Sequence, residues 1–272
     1  MKDLLRHIKV KNFTTEASIL IPEINLSYQV FGKKLGTAPV VLINHALTGN
    51  SSVAGKEGWW QDVVGDKKAI NTQIYTILSF NIPGNGFDGL LIDNYKDFIA
   101  RDIARIFLKG LSVLKINKLF ALIGGSLGGG IAWEMVVLNN KITKHFLPIA
   151  TDWKSTDWLI ANCQIQEQFL VNSSNPVHDA RMHAMLCYRT PESFKERFHR
   201  SKKDDSDIFD VESWLLHHGK SLQERYQLSS YKLMNQLLKT IDVTIGGKKN
   251  IQNLDKIEAN IHIIGVDSDL FF

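Results

Sequence analysis

Two cysteines, Cys163 and Cys187, are all that 272 residues contain. That excludes a disulfide framework, and no C-x-x-C spacing suggests a metal site. Both read as buried or indifferent thiols in a reducing compartment. The stretch from Met1 to His7 lacks the apolar core of a secretion signal. No apolar run approaches the length of a membrane span. The expectation is therefore a cytoplasmic protein with no metal and no membrane partner. There is no internal repeat and no low-complexity tract. The net charge is +4 and the pI near 8.9, but the lysines are scattered rather than striped. That argues against nucleic acid and accommodates an anionic small substrate.

What is present is an ordinary globular composition, 44% hydrophobic and 22% charged, in a chain long enough for one large α/β domain with an insertion. Residues 8 to 32 alternate as an antiparallel strand pair, with turns expected at Pro22-Glu23 and Gly32-Lys33. Pro39 to Asn44 and Tyr75 to Asn81 are continuous apolar runs, the mark of strands buried on both faces. Tyr95 to Leu114 has helical spacing, with Arg101, Arg105 and Lys109 expected on its polar face. Asn117 to Ile123 is a strand, Leu127 to Asn140 a helix, and His145 to Ala150 a further strand. This alternation predicts βαβ units in a mostly parallel sheet with helices on both faces. From about 154 to 240 no strand is apparent, only short helical patterns. The sheet is expected to resume over Ile261 to Val266. The organisation is thus a core over 1–153, a helical lid over 154–240, and the core resumed over 241–272.

The chemistry is concentrated at Gly124-Gly125-Ser126-Leu127-Gly128, a G-x-S-x-G motif between an apolar strand and a helix. It has the pattern of a nucleophile elbow, where glycines two positions either side of the serine relieve a strained turn. A phosphate-binding turn is the competing reading, but no Lys-Ser/Thr pair follows the glycines, so a Walker-type loop does not fit. In the α/β-hydrolase order the acid follows the serine and a histidine follows the acid. Asp269 stands where the acid should be, with Asp267 its rival. Only Leu270, Phe271 and Phe272 follow, and the nine histidines all precede Asp269. The expectation is a truncated chain whose base and last elements lie further on, and which is inactive or nearly so as given. Oxyanion donors are expected from the backbone N–H groups of Leu127 and Leu47, with His45 shaping the latter's loop.

His45-Ala46-Leu47-Thr48-Gly49, Gly58-Trp59-Trp60, the elbow itself, Ala180-Arg181-Met182, Tyr188-Arg189, Glu224-Arg225-Tyr226 and Ser268-Asp269-Leu270-Phe271 together resemble the homoserine O-acetyltransferase family of the α/β-hydrolase superfamily. The likeness runs from about residue 13 to the end and favours Asp269 over Asp267. It implies an α/β-hydrolase fold with an inserted helical lid, and transfer of acetyl from acetyl-CoA, a co-substrate rather than a tightly bound cofactor, to the hydroxyl of L-homoserine through Ser126. It also implies a place in methionine biosynthesis, Arg181 and Tyr188 in the amino-acid pocket, and a homodimer. The loop from Ile82 to Gly89 and the segment 172–177 are shorter than the family's. Acetyl or succinyl as donor group, and homoserine or serine as acceptor, stay open. So do an esterase of the same fold and a non-catalytic binding protein.

Overall fold

The computed structural model describes residues 5–203 and 207–272. Its frame is a seven-stranded sheet in the order β1 (Arg6–Thr14), β2 (Leu20–Gly32), β6 (Thr76–Phe80), β3 (Val40–Asn44), β7 (Leu119–Gly125), β8 (Thr143–Ile149) and β9 (Asn260–Ile261). β1 and β2 are antiparallel to their neighbours, and all other pairings are parallel. A separate two-stranded ribbon joins β4 (Val64–Gly65) and β5 (Ile70–Asn71). The continuous apolar runs at β3 and β6 are buried at every position, as strands covered on both faces must be.

The first hairpin differs from expectation. Its turn lies at Thr15–Ile19, while Pro22-Glu23 sits inside β2. Lys11 pairs with Glu23 and Phe13 with Ile21. Between them Asn12 adopts φ 50° opposite Pro22, which has no N–H to donate to the ladder.

One face of the sheet carries α1 (Ala100–Val113) and α2 (Leu127–Leu138), which bury Phe107, Ile103, Ile131 and Met135 with Leu42, Leu78 and Phe80 of the strands. The other face differs from the expected helix layer. Its apolar cluster of Val41, Ile43, Ile77, Ala121 and Ile123 is closed by Val53, Ala54, Trp60 and Val64. No helical residue joins that cluster among the described residues. The segment from Ser51 to Tyr75 is folded back as turns and the short ribbon, and occupies the space a helix would take.

The helices α3 (Asp157–Asn172), α4 (Pro176–Cys187), α5 (Pro191–Phe198), α6 (Asp210–Gln223) and α7 (Leu228–Lys239) follow β8, with no named strand between them among the described residues. The excursion opens and closes at one place: Lys154 bridges Asp242 antiparallel, and Ser155 N–H donates to Ile241 O at 2.8 Å. Leu159, Cys163, Leu222, Leu233 and Leu237 join the same cluster as the sheet, so these helices and the sheet share one core. α8 (Lys248–Leu254) then leads back to β9. Backbone bonds carry that ladder on past β9, from His262 N–H to Phe146 O and from Ile264 N–H to Pro148 O. The strand expected over Ile261 to Val266 is thus a short edge. Ile261, Ile263, Ile264 and Val266 are all exposed on it rather than buried.

Arg101 was expected on the solvent face of its helix, and it is buried. Its Nε donates to Glu134 Oε2 of α2 at 2.9 Å, and its Nη2 to Val243 O at 3.1 Å. Nη1 donates to Ile245 O. Glu134 Oε1 accepts from Asp242 N–H at 3.3 Å. The pair therefore fastens the strand-like exit of the lid to the helix that follows Ser126. Burial pushes the Glu134 carboxyl up to about 7 against the pull of Arg101. A folded pKa above the unfolded value favours the folded state below about pH 4.5, and that contribution is lost as pH rises through about 7. Arg101→Met should cost about 3–5 kcal/mol at pH 8, where an ionised Glu134 loses its partner, and clearly less at pH 5, where the carboxyl is neutral. Urea unfolding of both proteins at the two pH values measures the difference.

Candidate active site

The turn between β7 and α2 is set by two close approaches. A β-carbon on Gly124 would lie 2.3 Å from Gly128 O, and one on Gly128 would lie 2.4 Å from Asn44 O. Only glycine fits both positions, because the helix enters directly against β3 and β7. Ser126 between them is forced to φ 52°, ψ −127°, a conformation that costs a non-glycine residue about 1–3 kcal/mol. Its N–H donates to Ile149 O at 3.0 Å, and its carbonyl accepts from Gly129 and Gly130 at 2.9 and 3.1 Å. The serine is thereby held at the tip of the turn, at the amino end of a helix.

Ser126 faces a cavity of about 750 Å³. Ala46, Leu47 and Thr48 come from the loop after β3, and Ala150 from the end of β8. Arg181, Met185 and Tyr188 come from one side of α4, at the i, i+4, i+7 spacing of a helix face, and Asp269 and Phe271 from the segment beyond β9. Ser126, Asp269, Leu47, Arg181 and Tyr188 thus share one wall system. Leu127 is fully buried behind it as the first residue of α2. Asp267 is exposed and lines no part of this cavity.

Asp269 is tethered by its own loop. Its Oδ1 accepts Phe271 N–H at 2.7 Å and Phe272 N–H at 3.4 Å. Phe271 packs edge-on to Tyr188, and Trp158 Nε1–H of α3 donates to Leu270 O at 2.6 Å. The charge of Asp269 reaches Asp152, whose carboxyl is raised first by burial and then by that charge.

The loop from His45 to Thr48 has each of three successive carbonyls held by a protein donor. His45 Nδ1–H donates to Ala46 O at 2.8 Å. Tyr226 Oη donates to Leu47 O at 2.8 Å, and Arg225 Nη1 to Thr48 O at 3.4 Å. The peptide between Ala46 and Leu47 is planar and trans, so holding Ala46 O toward the His45 ring turns Leu47 N–H away from it. Among the described residues neither Leu47 N–H nor Leu127 N–H has a protein acceptor. Two backbone donors beside a serine are what a developing oxyanion needs.

His45 is not a base here. It is fully buried, and its Nε2 accepts Ile82 N–H at 3.0 Å, which fixes the tautomer with the proton on Nδ1. Burial lowers its pKa to about 4. Among the described residues no histidine lines the Ser126 cavity. Nor do three His, Cys, Asp or Glu side chains gather there or elsewhere in a way that could hold a metal ion. No described helix is long and apolar enough to cross a membrane.

Comparison with known proteins fits this geometry. A family model described as the alpha/beta hydrolase fold matches residues 39–157. A homoserine O-acetyltransferase of Symbiobacterium thermophilum is 29% identical over 94% of this chain and 78% of its own length. That of Trichormus variabilis is 29% identical over 96% and 79%. The crystal structure of homoserine O-acetyltransferase from Staphylococcus aureus superposes with a TM-score of 0.85 at 25% identity, covering 98% of this chain and 81% of that one. This chain has the α/β-hydrolase fold, and it is similar to homoserine O-acetyltransferases along nearly its whole length. These likenesses support an enzyme of the acyltransferase class. Esterase E22 shares the fold, with a TM-score of 0.82 at 18% identity.

Some contacts of this α/β-hydrolase site were not assigned from the sequence. Tyr226 and Arg225 follow the end of α6, nearly 180 positions from the carbonyls they hold. No spacing rule connects such residues, and only the fold brings them together. Tyr226→Phe should slow acylation of Ser126 by an activated ester about tenfold by loosening the loop that carries the Leu47 N–H, with the binding of substrate analogues unchanged. Stopped-flow release of nitrophenol from nitrophenyl acetate measures it.

His45 gives a pH signature. Its folded pKa lies below the unfolded value of 6.5, so its neutral form stabilises the fold fully above about pH 6.5, and this is lost as pH falls through about 4. The loss amounts to about 3 kcal/mol. Unfolding midpoints of the native chain should fall over that window, and those of His45→Gln should fall less.

Proposed function

We propose that this acyltransferase moves an acetyl group from acetyl-CoA to the hydroxyl of L-homoserine through a Ser126 acyl-enzyme, as a step of methionine biosynthesis in the cytoplasm. The observation that carries the reading is Arg181. It shares the cavity with Ser126, stacks over Tyr188 with its guanidinium carbon 5.5 Å from the ring centroid, and has no carboxylate partner among the described residues. A planar cation without a counter-charge, set in the wall of a nucleophile's pocket, suits the carboxylate of an amino acid. The curated relatives' names agree with that acceptor.

In the first step Ser126 Oγ attacks the thioester carbonyl carbon, the carbon–sulfur bond breaks, and the thiol leaves with the proton that the serine gave up. In the second the acceptor hydroxyl attacks the ester carbonyl, its proton returns to Ser126, and the O-acetyl amino acid leaves. Leu47 and Leu127 N–H groups receive the oxyanion in both steps, each worth about 2.7–4 kcal/mol in the transition state. Asp269 is the acid that orients the base. The family resemblance makes that base a histidine, and since none lines the cavity among the described residues, the chain as given should turn over slowly. Two copies of the chain are expected to associate as a homodimer.

Thiol release from acetyl-CoA and succinyl-CoA, with homoserine, serine and water as acceptors, tests the proposal. Homoserine should be preferred, and added imidazole should raise the rate. Arg181→Ala should raise the KM for homoserine at least tenfold while leaving release into water unchanged. Equal turnover with water and homoserine in the unsubstituted chain would instead identify an esterase.

A further inference from the structure

Four guanidinium groups gather on the lid side of the Ser126 cavity. Arg181 and Arg189 line it. Arg189 and Arg197 stand 5.5 and 5.6 Å from the centroid of one ring system, the indole of Trp214 on α6. Arg225 reaches the rim of the cavity at Thr48 O. Among the described residues the ion pairs of this region are His178–Asp179, Lys202–Asp207 and Lys220–Glu224, and they involve none of the four. The charges feel one another. His218, whose ring centroid lies 4.5 Å from that of Trp214, has its pKa lowered first by burial and then by Arg181, His217, Arg197 and Arg189.

Concentrating like charge with no acidic partner among the described residues destabilises the free protein, and an anionic ligand reverses that cost. Arg181 alone suffices for one acceptor carboxylate. Arg189 is then in excess. It comes from the turn after α4, and its Nη1 lies 3.3 Å from Ser193 Oγ, so the guanidinium and a hydroxyl lie side by side on the cavity wall with Thr190. Arg197, exposed on α5, adds a second positive charge on the same indole.

We propose that Arg189, supported by Arg197 on Trp214, binds the anionic part of the acyl donor, its diphosphate. This rests on the acyl-CoA reading above. Two adjacent guanidiniums match the charge of a diphosphate better than that of a single carboxylate. The lid thus separates two tasks: α4 presents Arg181 to the acceptor, and the α4–α5 turn presents Arg189 to the donor. A dicarboxylic acyl group carries the same kind of anion on the acyl side, and the experiment distinguishes the two sources.

Isothermal titration of the whole chain with CoA and with pantetheine, which lacks the phosphates, tests the inference without needing turnover. Arg189→Gln should raise the Kd for CoA about tenfold or more and leave that for pantetheine unchanged, with Arg189→Lys between. Arg197→Gln, at an exposed position and so of little risk to folding, should raise the CoA value by a smaller factor. Acetyl-pantetheine and succinyl-pantetheine should bind alike. A succinyl preference lost in Arg189→Gln, with CoA binding unchanged, would overturn the diphosphate assignment in favour of the acyl carboxylate. CoA and succinyl-pantetheine binding within twofold of the unsubstituted chain in both Arg189→Gln and Arg197→Gln would overturn the inference alone. No CoA binding by the unsubstituted chain would overturn it together with the acyl-CoA reading.

Discussion

The structure depends on one steric constraint, the approach of α2 to the carboxyl ends of β3 and β7. With Gly128 against Asn44 O and Gly124 against Gly128 O, no side chain can stand at either position. The turn that remains has a single residue at its apex, and that residue must accept positive φ. Strain at Ser126 is the price of presenting Oγ clear of both strand and helix, and the surrounding backbone bonds to Ile149, Gly129 and Gly130 hold it there. Everything else in the site is arranged around that point: a loop from β3 that offers N–H groups, a loop beyond β9 that offers a carboxylate, and a helix from the lid that offers a guanidinium.

Those parts come from distant stretches and are tied by a few buried polar contacts. Arg101 and Glu134 join the exit of the lid to α2, so the helix behind Ser126 and the insertion above it share one anchor. His45 joins the loop after β3 to that after β6, and Tyr226 joins it to the end of α6. The oxyanion loop is therefore positioned from the sheet side and the lid side at once. Displacing α6 would disturb both the cavity wall that α4 presents, through its packing on α4, and the loop from His45 to Thr48, through Tyr226 on Leu47 O.

Much of this was legible in the sequence because the governing forces are local. The elbow follows from glycines two residues on either side of a serine, and the buried strands from unbroken apolar runs. Long-range placement was not legible. Helical periodicity cannot distinguish an arginine facing water from Arg101 facing Glu134, since its partner lies 33 positions away. Pro22 read as a turn because proline usually interrupts pairing, yet here Asn12 accommodates it within the hairpin. The apolar run from Ile261 to Val266 has the composition of a buried strand, but it lies at the sheet's edge with its side chains exposed. Asp269 could be chosen over Asp267 only by resemblance, and it is the one of the two that lines the cavity.

The central claim is that Ser126 carries the acyl group between donor and acceptor. Its most direct measurement is intact-mass and peptide analysis after incubation with acetyl-CoA and imidazole, before and after homoserine is added. The account predicts one acetyl group on the peptide containing Ser126, absent from Ser126→Ala, and discharged faster by homoserine than by water. Acetyl on another residue, or none while O-acetylhomoserine still forms, would contradict it.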